Sequence, residues 1–217
     1  MSPLTRTPDR RTNFGLSPRR AVHLVAAVAG LVVLAPIAAL VAIAIRLDSP
    51  GPVMFRQTRV GRDGQLFEIF KFRTMYNHRE EIAVFSTIDD ARVTRVGSGL
   101  RRARLDEIPQ LLNVIRGDMN LVGPRPERPE FVEQFRVAVP GYDERHQVLP
   151  GITGLAQLEL GYAASAQSKL TLDLDYIERA SLRLDLALLW RTATSIGSMN
   201  DEGVDPDDPR AQGRVPC

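Results

Sequence analysis

From Ala21 to Ile45 almost every residue is apolar, His23 being the one clearly polar exception. The run is long enough for a helix to cross a bilayer, so the fold has to accommodate it in lipid or against protein. Pro36 lies inside it, Arg10, Arg11, Arg19 and Arg20 precede it, and Arg46, Arg56, Arg59 and Arg62 follow it. Both basic flanks favour the cytoplasmic side. A helix that enters, bends at Pro36 where a backbone hydrogen bond is lost, and leaves on the same face satisfies both. A spanning helix tolerates one proline and stays open. So does a signal peptide, for which Ala42, Ile43 and Ala44 resemble a small-residue cleavage site, although the run is long for that role.

The remaining chain is large enough for one domain with a hydrophobic core. Lys and Arg total 28 against 26 Asp and Glu, a formal net charge of +2, which argues against a dedicated nucleic-acid binder. Cys217, the last residue, is the only cysteine. That excludes an intramolecular disulfide and a cysteine-based metal cage.

After the apolar run, Ser49, Pro50, Gly51 and Pro52 break any helix. Val53 to Gln57 and Leu66 to Phe72 are β-prone, with the tight-turn pair Asp63-Gly64 between them, so the sequence predicts a short hairpin. It ends at Lys71 and Arg73, which a strand places on one face. They read either as a solvated edge that discourages aggregation or as a phosphate clamp. Residues 76–93 are polar, with Glu80-Glu81 and Asp89-Asp90, and read as solvated surface.

The densest chemistry lies between Thr94 and Glu127. Asp106 and Glu107 stand side by side ahead of Ile108, Leu111, Leu112 and Ile115 at helical spacing, bracketed by Arg101, Arg102, Arg104 and Arg125. The bland account is that Asp106 caps a helix, Glu107 complements its dipole, Pro109 sits in its first turn and Gly117 closes it. The sharper account is phosphate chemistry, because guanidinium groups grip phosphate oxygens bidentately and stay charged. A helix N-terminus would keep Asp106 ionised, and a carboxylate can attack phosphorus to give an acyl phosphate. Glu107, with Asp106, suits Mg²⁺, which takes one or two carboxylates plus substrate oxygens. Arg125 sits between Pro124 and Pro126 on a stiff loop, as a phosphate contact or as part of an ordinary proline-rich turn.

DSPGPVMFRQTRVGRDGQLFEIFKFRTM, TRVGSGLRRARLDEIPQLLNVIRGDMNLVGPRPE and PGITGLAQ, in that order, resemble the bacterial sugar transferase family, the monotopic phosphoglycosyl transferases. The resemblance runs from about Leu24 to about Ile196. It implies transfer of a sugar 1-phosphate from a UDP-sugar to undecaprenyl phosphate with release of UMP. That is the first membrane step of exopolysaccharide, O-antigen, capsule or glycoprotein glycan synthesis. By match, Asp106 is the nucleophile that carries the phosphosugar and Glu107 helps hold Mg²⁺. Lys71 and Arg101 contact phosphate, and Pro124, Arg125 and Pro126 form the nucleotide loop. Arg73 and Arg145 fall at family-typical positions.

The resemblance also favours the re-entrant helix. Here the bend has Ala35-Pro36 where Ser-Pro is common, which removes a hydroxyl from it. Ala156 stands where the family often has Trp, and Gly161-Tyr162 occupies a region where an Arg is common. These departures bear on sugar or acceptor preference and leave the carboxylate pair intact.

The expected architecture is therefore α/β and helix-rich, membrane-associated, with one re-entrant helix, a small β-hairpin and several helices, some amphipathic and interfacial. Residues 1–20 form a flexible basic leader, 21–46 the membrane helix, 47–199 a cytoplasmic catalytic domain and 200–217 a disordered tail. Phe131 to Val148 reads as helix and loop, with Tyr142 and Arg145 before the Pro150-Gly151 turn, and Lys169 to Arg179 reads as a polar helix. Leu182, Leu186, Leu189, Ala193 and Ile196 form a helical stripe beside Trp190, Arg183 and Arg191, suited to a membrane interface or to core packing. The expected setting is the cytoplasmic face of a bacterial inner membrane, and a homodimer is compatible with it. A non-catalytic membrane scaffold for glycan assembly is the competing class.

Overall fold

The structure, a computed structural model, describes residues 17–76, 92–160 and 164–195. The leader up to residue 16, the acids at 80, 81, 89 and 90, Gly161-Tyr162, Ile196 and the 200–217 tail lie outside the described residues.

Helix α1 (Pro18–Asp48) contains the whole apolar run. Ser17 Oγ accepts from Arg20 N and Pro18 opens the first turn, an efficient start for a helix. By length and composition α1 can cross a membrane. The sequence predicts a break at Pro36, whereas the helix continues through it. One missing N–H is a local loss that the turns on either side survive.

α1 packs along the rest of the protein by one stripe. His23, Ala27, Val41 and Ile45 are buried, and Leu34 and Ala38 are packed between them. At its start Arg20 Nη1 donates to Met119 O at 2.6 Å and Asn120 Oδ1 at 2.7 Å. Arg19 and His23 both reach Asp185, the latter at 2.9 Å, and Arg19 also meets the Tyr176 hydroxyl. At its end Asp48 Oδ2 accepts from Val96 N at 3.3 Å. The opposite face leaves Val25, Val32, Val33, Leu40 and Ile43 exposed.

The hairpin is as the sequence predicts: β1 (Met54–Val60) pairs antiparallel with β2 (Leu66–Phe72), Phe55 opposite Lys71. A single 3₁₀ turn at Arg62–Gly64 joins them, with Asp63 at φ 54°. Alternation in β2 sends Ile69 and Phe72 to different parts of the core.

α2 (Arg95–Arg102) follows, capped by Thr94 Oγ1 accepting from Gly97 N at 2.9 Å. Arg104, at φ 54° in the left-handed region, reverses the chain into a 3₁₀ turn at Leu105–Glu107. α3 (Gln110–Arg116) comes next. Asp106 is therefore not a helix cap, because the chain turns once before α3 and Pro109 takes the capping position. Gly117 ends α3 as expected, at φ 98°.

A parallel pair that the sequence does not announce, β3 (Asn120–Val122) and β4 (Gly151–Thr153), brings Val122 opposite Thr153. Between them lie α4 (Pro129–Ala138) and a 3₁₀ stretch at Tyr142–Gln147. α5 (Leu155–Leu160), α6 (Ala166–Arg179) and α7 (Leu182–Ser195) complete the fold. The expected α7 stripe divides: Leu189 packs against the core near Leu188, while Leu182, Leu186 and Trp190 face outward.

Two core clusters include α1 residues. One joins Ala27 to Ile69, Val114, Met119, Val122, Tyr176 and Leu188. The other joins Val41 and Ile45 to Phe72, Leu100 and Ile108. A third, around Val60, Phe131, Phe135, Tyr142 and Leu170, supports the far side of the hairpin.

Candidate active site

Asp106 and Glu107 sit on the Leu105–Glu107 turn, whose flanks are apolar anchors. Leu105 and Ile108 pack into the cluster that holds Val41 and Ile45 of α1. The carboxylate pair is thus fixed against the long apolar helix. Both acids are buried, 8% exposed each, where an unpaired charge would be costly.

Cations from separate elements offset that cost. Lys71, at the end of β2, places Nζ 3.0 Å from Glu107 Oε1 and 3.8 Å from Asp106 Oδ2. Arg125 reaches the same Glu107 Oε1 with Nη1 and Nη2, both at 3.2 Å. Arg104 Nη1 is 4.0 Å from Glu107 Oε2. Arg101 donates from Nε to Thr74 Oγ1 at 3.0 Å, and its field reaches Asp106.

The two acids end up in different states. Burial pushes both upward, but for Glu107 the Lys71 and Arg125 charges prevail and hold it far below the usual carboxylate range. For Asp106 burial prevails over Lys71, with Glu107 adding repulsion, and its carboxyl is raised. The ionising influence expected from a helix N-terminus is not the governing one. Asp106 is the less encumbered oxygen donor, because its Lys71 contact is longer than a hydrogen bond.

The structure brings Lys71, Arg101, Asp106, Glu107 and the Pro124-Arg125-Pro126 loop together and separates the other two basic residues from them. Arg73 turns away and donates to Pro50 O at 2.6 Å and Ser49 O at 2.8 Å, holding the exit of α1. The alternation that serves Lys71 fails for Arg73 because β2 ends at Phe72. Arg145 is buried against Asp173 Oδ2 at 2.7 Å and donates to Arg125 O at 2.9 Å, one layer behind the loop.

Sequence reasoning missed Arg59, Glu127 and Asp173. Arg59 lies 3.8 Å from Glu127 and donates to Pro126 O at 3.0 Å. Burial draws its guanidinium down to about 10, Glu127 opposing, so it stays charged at neutral pH. No local pattern marks these residues. Their partners lie far along the chain.

Among the described residues no three His, Cys, Asp or Glu side chains gather into a metal cage. Two adjacent carboxylates are nonetheless the set that Mg²⁺ takes when substrate oxygens complete its shell.

Two neighbouring acids in unlike states, ringed by cations and wedged against an exposed apolar helix, form a compact charged cluster on a helix-bearing α/β domain. The chain belongs to the bacterial sugar transferase family, whose model matches residues 15–198. It is 45% identical over 182 residues to a UDP-N-acetylgalactosamine-undecaprenyl-phosphate N-acetylgalactosaminephosphotransferase of Aeromonas hydrophila, covering 82% of this chain and 43% of that protein. It is 40% identical over 196 residues to a UDP-glucose:undecaprenyl-phosphate glucose-1-phosphate transferase of Escherichia coli (strain K12), covering 88% and 42%. A Caulobacter vibrioides protein of the same description is 44% identical over 186 residues, covering 82% and 69%. The chain thus spans less than half the length of the first two relatives.

Proposed function

We propose that this chain is a phosphoglycosyl transferase that moves a sugar 1-phosphate from a UDP-sugar to undecaprenyl phosphate and releases UMP. The observation that carries the reading is a loosely held Asp106 beside a Glu107 neutralised by Lys71 and Arg125. The relatives named above, all described as undecaprenyl-phosphate sugar-phosphate transferases, support it.

An Asp106 carboxylate oxygen bonds to the β-phosphorus of the donor while the bond from that phosphorus to the bridging oxygen breaks. UMP leaves with the bridging oxygen and its electron pair. A phosphate oxygen of the polyprenyl phosphate then attacks the same phosphorus and Asp106 is released. Anion meets anion in both halves, so fixed cations are required. Lys71, Arg101 and Arg125 are the groups placed to meet the diphosphate. Glu107 Oε2 and Asp106 would hold Mg²⁺, which supplies further charge neutralisation when bound.

The donor is water-soluble and the acceptor lies in lipid, so the site belongs at the membrane surface. The exposed apolar face of α1 suits lipid, as does the Leu182, Leu186 and Trp190 face of α7. A same-side, monotopic placement on the cytoplasmic leaflet is favoured because both ends of α1 hydrogen-bond to one domain.

Incubation with a UDP-sugar panel, Mg²⁺ and undecaprenyl phosphate should release UMP. A phosphosugar adduct should appear in the intact mass without acceptor, and Asp106→Asn should abolish it. An undiminished adduct removes Asp106 as nucleophile. No UMP from any donor would favour the scaffold reading.

A further inference from the structure

The segment carrying Arg125 cannot brace itself, since Pro124 and Pro126 have no N–H to donate. Its carbonyls are tied instead, one after another, to the surrounding domain. Pro124 O accepts from Gly151 N at 2.9 Å, Arg125 O from Arg145 Nη2 at 2.9 Å, Pro126 O from Arg59 Nη1 at 3.0 Å and Glu127 O from Val60 N at 2.9 Å. Two of these donors are main chain and two are guanidinium groups. Behind the loop is a small cavity bordered by Val60, Gly61, His146, Val148 and Pro150.

We propose that Arg145, gripped by Asp173, and Arg59, beside Glu127, are positioning residues that fix where the Arg125 guanidinium stands against Glu107. Neither touches the carboxylate pair. Arg145 is 4% exposed and Asp173 2%. Arg145 Nε and Nη2 meet Asp173 Oδ2 at 2.9 and 2.7 Å, and Nη1 donates to the Tyr142 hydroxyl at 2.6 Å. Asp173 belongs to α6, so the fork ties that helix to the carbonyl of Arg125. A buried ion pair is a weak source of net stability, because desolvation offsets most of the attraction. Its rigid planar geometry is what a lysine or an apolar pair could not reproduce.

The kinetic consequence rests on the transferase reading, whereas the structural one does not. In the full chain in detergent or nanodiscs, Arg145→Lys and Asp173→Asn should each lower kcat/KM for UMP release by roughly a hundredfold, the scale of an ångström misplacement. The double variant Arg145→Lys/Arg125→Ala should be no worse than Arg125→Ala alone, because both act through one guanidinium. Losses that multiply in the double variant would overturn the proposal.

Independently of turnover, hydrogen–deuterium exchange at the Gly151 and Val60 amides, which donate to Pro124 O and Glu127 O, should rise several-fold in Arg145→Lys, with α3 unchanged. Unaltered exchange there would also overturn it. If Arg145→Lys does not fold, Asp173→Asn, which keeps the side-chain shape, is read in the same two ways. A wild type that releases no UMP would defeat the transferase reading and leave the exchange experiment to decide this one.

Discussion

Asp106 and Glu107 adjoin in the chain, share a turn and share a cation, yet burial wins at one and compensation wins at the other. The difference is a matter of where the cations point. Lys71 and Arg125 both converge on Glu107 Oε1, whereas among the described residues the contact to Asp106 is the longer one from Lys71. The pH dependence follows in sign. If Asp106 is the nucleophile, as proposed, its protonated form would not attack phosphorus, so activity should be full above its raised pKa and fall as pH drops through it. Glu107 stays ionised across the same interval. The acid limb of kcat/KM for UMP release should therefore have its midpoint above the usual aspartate value. It should move down in Glu107→Gln, because the neighbouring negative charge is gone. An acid limb at or below the ordinary aspartate range would contradict this ordering.

Elements with strong local periodicity are legible in the sequence. The hairpin, α6, α7 and the Gly117 helix end all follow from alternation, helical spacing or turn chemistry. β3 and β4 are not, since three-residue strands carry no period and their pairing joins distant segments. α2 is hidden by its arginines and by Gly97 and Gly99, although Thr94 supplies an ordinary capping signal. Asp106, Glu107, Lys71 and Arg125 are legible as a constellation through the family pattern. Arg59 and Asp173 are not, because long-range ion pairs leave no spacing to find. Gly97 separates local from tertiary reasoning. By helix propensity Gly97→Ala should stabilise α2 by about 1 kcal/mol. A Cβ there would lie 2.1 Å from Thr74 O, a backbone atom that cannot swing aside. Gly97→Ala should instead destabilise the protein by about 2 kcal/mol and disturb the Arg101–Thr74 contact. Denaturant unfolding checks this: a midpoint at or above wild type would show that α2 yields freely.

At the scale of the whole molecule, α1 has its first turns bonded to the α3–β3 region and α7, and its last turn bonded to α2. A straight helix of this length runs about 45 Å, well over the thickness of a bilayer's hydrocarbon core. One domain could not hold both ends of such a helix if the bilayer lay between them. With Cys217 replaced by serine, single cysteines at Ser17 and at Leu47 should both react with an impermeant reagent from the same side of sealed vesicles. Opposite accessibility would show a spanning helix and detach one set of these contacts from the membrane-bound form.

Because Ala27, Val41 and Ile45 are walls of the core rather than a tether outside it, the apolar helix and the carboxylate pair cannot be dissected from each other. Trimming the chain back to Asp48 would open the interior beside Ile108, next to the Asp106–Glu107 pair, and leave a sticky remnant instead of a soluble domain.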